Sequence, residues 1–335
     1  MAGLAAAARA RELGADVVVH EKGDRPGGSM LLSSCVVWRY RDWEAFRAEC
    51  PGGDPALQRV VWEGLDDALA WLESLGAPVV TRETGNPLTT GVRFDPRRLT
   101  EALAKDVRLG EPLFEIPDGV ATILATGGFQ GDRELVRRHV TEERVVLRAN
   151  PWSTGDGLRL ALEHGARPSD GLGEFYGRNL AAAPRIEPED FVPLAQVYAR
   201  LAVVENSRGE RYEARTWSEI DVVQWTARQP GARAWYVVPD DALGEPVRER
   251  TVGEVIEAAE RAGAPVERRD SVTRVEVVAG ITTTLGGIRV DERARAADGL
   301  WAAGADAGGI STGGWSSALA TALVLGKIAA EDVLK

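Results

Sequence analysis

Apolar and polar positions along the chain fall into segments of clear period. Gly3 to Leu13 is alanine-rich and reads as a helix, with Gly14 where a left-handed glycine would close it. Ala15 to Glu21 (ADVVVHE) is a short apolar run closed by an acid, the pattern of a buried parallel strand. From Asp54 to Leu75, the apolar positions Leu57, Val61, Leu65, Leu69, Leu72 and Leu75 recur at helical spacing and predict an amphipathic helix. Arg97 to Lys105 predicts another helix. Val120 to Ala125 (VATILA) predicts a buried strand running into Thr126-Gly127-Gly128, and Gly155 to His164 a helix behind Ser153-Thr154, ended by Gly165.

From about Gly171 to Ala279 the texture changes. Pro, Trp and Arg are denser and short strands and helices mix, with a strand expected over Ala232 to Pro239 and a helix over Val252 to Ala262. The glycine-rich alternation resumes at Gly280 and closes in a helix from Ser316 to Leu334. This outer–inner–outer order predicts one domain formed by 1–170 and 280–335, interrupted by a second at 171–279. There is no internal repeat.

Composition narrows the classes. The 335 residues are 44% hydrophobic and 27% charged, ordinary globular proportions that argue against disorder. No apolar run reaches the ~18 residues of a membrane span, and the start lacks the basic-then-apolar pattern of a signal peptide, so no membrane partner and a cytoplasmic location are expected. A formal net charge of −11 without a basic stripe argues against nucleic acid. Cys35, Cys50 and three scattered histidines offer no metal set, and His20, His139 and His164 read as structural. Trp38, Trp43 and Trp62 read as core or interface aromatics. Glycine is in excess, 37 residues or about 11% against a usual ~7%, and often paired, as at Gly27-Gly28, Gly127-Gly128, Gly286-Gly287 and Gly308-Gly309. Pairs of this kind mark places where backbone approaches something closely.

A dinucleotide fold places a glycine fingerprint at a helix start and an acid at the end of the next strand, roughly 20 residues on. Gly3 and Glu21 stand at such a spacing, although any helix–strand pair ending in Glu would share it. The stretch Glu21-Lys22-Gly23-Asp24-Arg25-Pro26-Gly27-Gly28-Ser29 goes further. It resembles the E-K-x-x-x-x-G-G-(N/S) segment of the fumarate reductase/succinate dehydrogenase flavoprotein family. Four more family-like stretches occur along the chain: Ala125-Thr126-Gly127-Gly128-Phe129, Thr154-Gly155-Asp156-Gly157, Thr284 to Asp291 (TLGGIRVD) and Leu300 to Gly309 (LWAAGADAGG). Five such stretches cover most of the chain.

The resemblance implies an α/β fold: a discontinuous, Rossmann-like FAD-binding domain of the glutathione reductase type with an inserted α+β cap. It implies FAD as cofactor. Glu21 would accept from the adenosine ribose, the Gly27-Gly28 backbone and the helix opening at Gly3 would face the pyrophosphate, and Asp306 would hold a ribityl hydroxyl. The last helix, beginning at Ser316, Ser317, Ala318 and Leu319, would aim its positive end at the flavin. Lys22, Arg25, Ser29, Ala125, Thr126, Gly127, Gly128, Thr154, Asp156 and Gly304 complete the implied cofactor set. The His that attaches flavin covalently in some relatives is replaced by Ser33-Ser34-Cys35-Val36, so non-covalent FAD is expected.

The catalytic half departs from the family. Thr283 stands where fumarate reductases carry a His, Trp315 where they carry a carboxylate-binding Arg, and Ser218-Glu219 where the cap supplies a proton-donating Arg. A dicarboxylate loses its charge partners, so an uncharged or apolar substrate is expected, with a C–C double bond formed or reduced. Tyr176, Arg178 and Thr283 are the candidate catalytic residues, Tyr176 first among them as acid or base; Tyr198, Arg200, Arg211 and Tyr212 lie further along the same region. The other reading is a flavin-free remnant acting as a binding or interaction protein. Relative to the family the chain starts inside its nucleotide fingerprint, and Asp106-Val107, Arg269–Val275 and Ala296–Gly299 are compressed. An incomplete sequence is expected, because a parallel sheet lacking its central strand would expose two long edges.

Overall fold

A computed structural model describes residues 1–335, which form two compact units: 1–132, 150–174 and 283–335 in the first, 133–149 and 175–282 in the second. The expected inner segment, 171–279, lies near these limits, but residues 133–149 also belong with it. Val146 and Leu147 pair with Gly280 and Ile281, and the Thr141 hydroxyl donates to the Ala227 carbonyl at 2.7 Å. These ties are long-range, so local pattern did not reveal them.

The first unit contains most of the predicted helices. Asp54 caps the helix Pro55–Ser74 by accepting from the Ala56 and Leu57 amides, and Asp95 caps Pro96–Leu103 in the same way. The opening helix, Ala2–Glu12, buries Ala5, Ala6 and Ala7 against the closing helix, Ala318–Val333. Small residues make that crossing close: a Cβ at Gly326 would sit 2.6 Å from the Ala2 carbonyl oxygen. The opening strand is shorter than its apolar run, Val19–Glu21 instead of 15–21, and pairs in parallel only with Val107–Leu109. A second ladder pairs Thr122–Leu124 in parallel with Leu300–Ala302, and no strand joins the two ladders. An antiparallel sheet of Val36–Tyr40, Thr89–Phe94 and Val79–Thr81 carries the aromatic cluster of Trp38, Tyr40, Phe46, Trp43 and Trp62.

The second unit is built on a seven-stranded sheet. Its axis is the strand Val272–Thr284, which takes Arg233–Pro239 and Val266–Arg269 antiparallel along its first half. Phe175–Ala181 and Val146–Leu147 join the same strand. Alternation puts Ala234, Tyr236 and Val238 inward across from Val277, Val275 and Thr273, over the helices Ile220–Ala227 and Val252–Arg261. Two of the compressed joints are tight hairpins, turning at Asp270-Ser271 and Asp298-Gly299. No helix of the protein is long and apolar enough to cross a membrane.

Candidate functional site

In the first unit, parallel pairing of Leu300–Ala302 with Thr122–Leu124 sets the loops after both strands side by side. Asp306, 2% exposed, thereby meets the Thr126-Gly127-Gly128 loop. Its carboxylate accepts from the Thr126 amide, from the Thr126 hydroxyl at 3.0 Å and from the Gly128 amide at 3.0 Å. The Thr126 oxygen in turn accepts from the Gly157 amide at 3.1 Å. Burial pushes the Asp306 carboxyl above the usual carboxylate range, and these hydrogen bonds oppose the shift. Asp306 already takes three donors within the protein, so its first duty is to hold this loop.

The nucleotide end gathers other predicted residues. Glu21 closes its strand and accepts from the Gly23 amide at 2.7 Å. Lys22 Nζ donates to the Thr154 hydroxyl and to Asp156 at 2.6 Å, just ahead of the helix Asp156–Glu163. Gly27 and Gly28 both have positive φ, 108° and 55°, in a turn a side chain would strain. Ser29 accepts from the Asn150 side chain at 2.8 Å. Gly3 lies against Ala125, where an added Cβ would come within 3.3 Å of the alanine methyl. Arg25 pairs with Asp24 at 2.8 Å and lies over the Trp152 ring, 5.9 Å from its centre.

A cleft opens at the start of the last helix, lined by Thr283, Thr284, Gly304, Ile310, Trp315 and Ala318. Ser317 caps that helix by accepting from the Ala320 amide, Ser316 shares a hydrogen bond with Ser311 at 2.6 Å, and Leu319 is half-buried in the first turn. Thr284 Oγ1 is buried without a hydrogen-bond partner. An unanswered hydroxyl at a mostly apolar cleft, beside a helix N-terminus, fits the polar edge and flat body of a flavin ring. No lining residue is charged.

In the second unit, alternation along Phe175–Ala181 puts Tyr176 and Arg178 on one face. The Arg178 guanidinium lies over the Tyr176 ring, 5.2 Å from its centre, and donates to the Ser218 carbonyl. Two residues that sequence reasoning missed complete the group. Arg148 follows Val146–Leu147 and donates to the Phe191 carbonyl at 3.1 Å and the Thr282 hydroxyl at 2.9 Å. Arg248 sits in the turn between Pro246–Val247 and Arg250–Thr251 with a positive φ of 57°. Burial disfavours the Tyr176 phenolate, yet Arg178, Arg148 and Arg248 together hold its pKa below the ordinary tyrosine value. Glu219 is buried nearby and shifted upward by that burial, with Arg178 opposing. The signal that could have found Arg148 is an arginine closing an apolar run, VVLR.

The other candidates have structural partners. Tyr198 is buried and donates to Gln196 at 2.6 Å, Tyr212 donates to Asp221 at 3.2 Å, and Arg211 pairs with Glu205 at 3.6 Å. Arg200 is exposed. Thr283 belongs to the first unit, apart in chain and unit from Tyr176 and Arg178. No group of three or more His, Cys, Asp or Glu could hold a metal ion.

Comparison with known proteins agrees with this arrangement. The fold is similar to a flavocytochrome c3 fumarate reductase in its open conformation, with a TM-score of 0.75 at 20% identity over 99% of this chain and 76% of that one. It is similar to 3-ketosteroid delta1-dehydrogenase from Sterolibacterium denitrificans, solved with 1,4-androstadiene-3,17-dione (TM-score 0.72, 15% identity, 98% and 97% covered). It is also similar to 3-ketosteroid-delta4-(5alpha)-dehydrogenase from Rhodococcus jostii RHA1, solved with 4-androstene-3,17-dione (TM-score 0.71, 16% identity, 100% and 95% covered). No curated protein matches the sequence. The sequence model of the FAD binding domain family matches residues 1–112 and 110–317. With nearly the whole chain matched, and Glu21, the Asp306-held loop and the Thr284 cleft in place, the protein belongs to the FAD binding domain family, whose cofactor is FAD.

Proposed function

We propose that this protein is an FAD-dependent oxidoreductase that forms or reduces a C–C double bond beside an activating group in a largely apolar small molecule. The observation that carries the reading is the Thr284 cleft, whose walls of Ile310, Trp315 and Ala318 carry no charge. FAD, when bound, supplies the two-electron exchange. Glu21, the Gly27-Gly28 amides, Asp306 and the Ser317-capped helix would hold it. Tyr176 handles the proton at the carbon beside the activating group, taking it as phenolate on oxidation and returning it as phenol on reduction. A dicarboxylate would need a cation at each end, and the cleft provides none, so fumarate and succinate are poor substrates. The ketosteroid ligands of two structural neighbours are of the apolar, carbonyl-activated kind this reading asks for.

The test is reconstitution with FAD, anaerobic reduction, and mixing with a cyclic enone or with fumarate while flavin absorbance is followed. Reoxidation by the enone and not by fumarate is expected. Equal rates with both would overturn the substrate assignment. A protein that stays colourless after reconstitution would favour a flavin-free binding protein, a second reading that draws on the two unjoined parallel ladders.

A further inference from the structure

We propose that Arg148, Arg178 and Arg248 form, beside the phenol of Tyr176, a binding site for a planar oxyanion: the carboxylate of an apolar acid or the enolate of a carbonyl compound. This deepens the function proposed above, since the oxyanion would be the substrate's, but anion binding itself needs no flavin.

The backbone brings the three arginines together from distant parts of the chain. The strand Val272–Thr284 is flanked near Gly280 by both Val146–Leu147 and Phe175–Ala181. A Cβ at Gly280 would lie 3.6 Å from the Arg148 Cβ and 3.1 Å from the Arg178 carbonyl oxygen. A Cβ at Gly177 would strike the Gly280 carbonyl at 1.9 Å. Two glycines therefore allow the close crossing that sets Arg148 and Arg178 on either side of one point. Arg248 reaches the group from a hairpin turn whose left-handed φ is costly for any residue but glycine, Asn or Asp.

What distinguishes this group is what it lacks. Arginines elsewhere, such as Arg9, Arg82, Arg268 and Arg274, pair with carboxylates at 2.6 to 2.8 Å. No carboxylate pairs with Arg148, Arg178 or Arg248. Burial, and then the neighbouring Arg178, lower the pKa of both Arg148 and Arg248, so holding these cations here has a cost that a bound anion would offset. The hydrogen bonds of Arg148 use Nε and Nη1, and Arg178 uses Nη1 on the Ser218 carbonyl and also hydrogen-bonds Tyr176. Planar guanidinium groups suit a planar, two-oxygen or delocalised anion better than a spherical one. The nearby carboxylate, Glu219, accepts from the Arg200 amide at 3.4 Å and favours the charge on Arg178 and Arg248, but one carboxylate against three arginines leaves the group with an excess of positive charge. Tyr176 is the remaining acidic group, already drawn toward its anion by the same arginines, and it would share a proton with the bound oxyanion.

The FAD-loaded, full-length protein is titrated at neutral pH and low salt with sodium benzoate and, separately, with 4-nitrophenol, whose phenolate absorbance reports bound anion directly. Saturable one-to-one binding of at least one probe is expected, with a rise in melting temperature. Tighter binding of benzoate identifies a carboxylate as the natural group, and tighter binding of nitrophenolate an enolate. R178M and R248M should each weaken binding roughly tenfold or more, a hydrogen-bonded charge removed. R289M, which removes an exposed arginine of the first unit 3.9 Å from Asp170, should leave it unchanged. R248M, in an exposed turn, guards against misfolding of R178M. Absence of binding by either probe at tens of millimolar, or binding equally tight in R178M and R248M, overturns the inference. The same titration on flavin-free protein separates the two readings: anion binding without FAD uptake sinks only the flavin function, and FAD uptake without anion binding sinks only this site.

Discussion

The Asp306 loop of the first unit and the partly buried arginine group of the second hold their charges in opposite ways. Asp306 is surrounded by donors from its own chain, and those bonds fix the shape of the Thr126-Gly127-Gly128 loop. The three arginines gather beside a tyrosine, and Glu219 is the one carboxylate that acts on them, so the group keeps an excess of positive charge. A satisfied charge is a structural part; an unsatisfied one, kept at a cost, is a place for something else to bind.

Removing Asp306 gives the sharpest contrast. D306L should lose about 3–5 kcal/mol of stability, because the Thr126 and Gly128 donors are stranded in the interior; urea unfolding measures it. R178M should change unfolding stability by less than about 1 kcal/mol, because relief of the guanidinium's desolvation offsets its lost bond to the Ser218 carbonyl. A large loss in R178M would make the two regions alike and dissolve the comparison. Y176F should lower turnover about 100-fold or more while leaving FAD content intact. A pH series sharpens the point: the Tyr176 phenol is depressed in the folded state, so wild type should gain stability over Y176F as pH climbs from that depressed pKa toward the unfolded value of about 10. Loss of that gain in Y176F must be matched by R248M if the arginines cause the shift. E21L should weaken FAD about tenfold or more, measured by flavin release on dilution, since it removes a charged acceptor. The smallest effect concerns the thiols. Burial raises the Cys35 thiol to about 11 and the Cys50 thiol further, so neither should react with a thiol reagent at pH 8 until the protein unfolds.

Much of the first unit was legible because its signals are local. An Asp before a helix or a glycine after one acts within a single turn; Asp54, Gly14 and Gly165 stand at the helix ends the pattern marked, and Asp95 does the same work just before the helix that the pattern began at Arg97. The strand at 15–21 was overextended, since residues 15–18 have an apolar pattern but no partner strand to pair with. The strands Phe175–Ala181 and Val272–Thr284 escaped the pattern reading, the latter because its alternating first half gives way to Ala279-Gly280 and a run of threonines.

The sequence alone indicated the helices at both ends of the chain, those at 54–75, 97–105, 155–164 and 252–262, and the glycine stretches that identify an FAD-binding chain; it left Trp43–Glu49, Arg133–His139 and Ile220–Ala227 unread. It also singled out Tyr176 and Arg178, which lie two residues apart on one strand face. Only the tertiary structure brought Arg148 and Arg248 to them, and only it showed Asp306 occupied by its own loop. The reason is physical. Caps, turns and periods are settled among neighbours in the chain, whereas a charge cluster depends on which strands pair, and the pairing of 146–147 with 280–281 is decided by the packing of the whole unit.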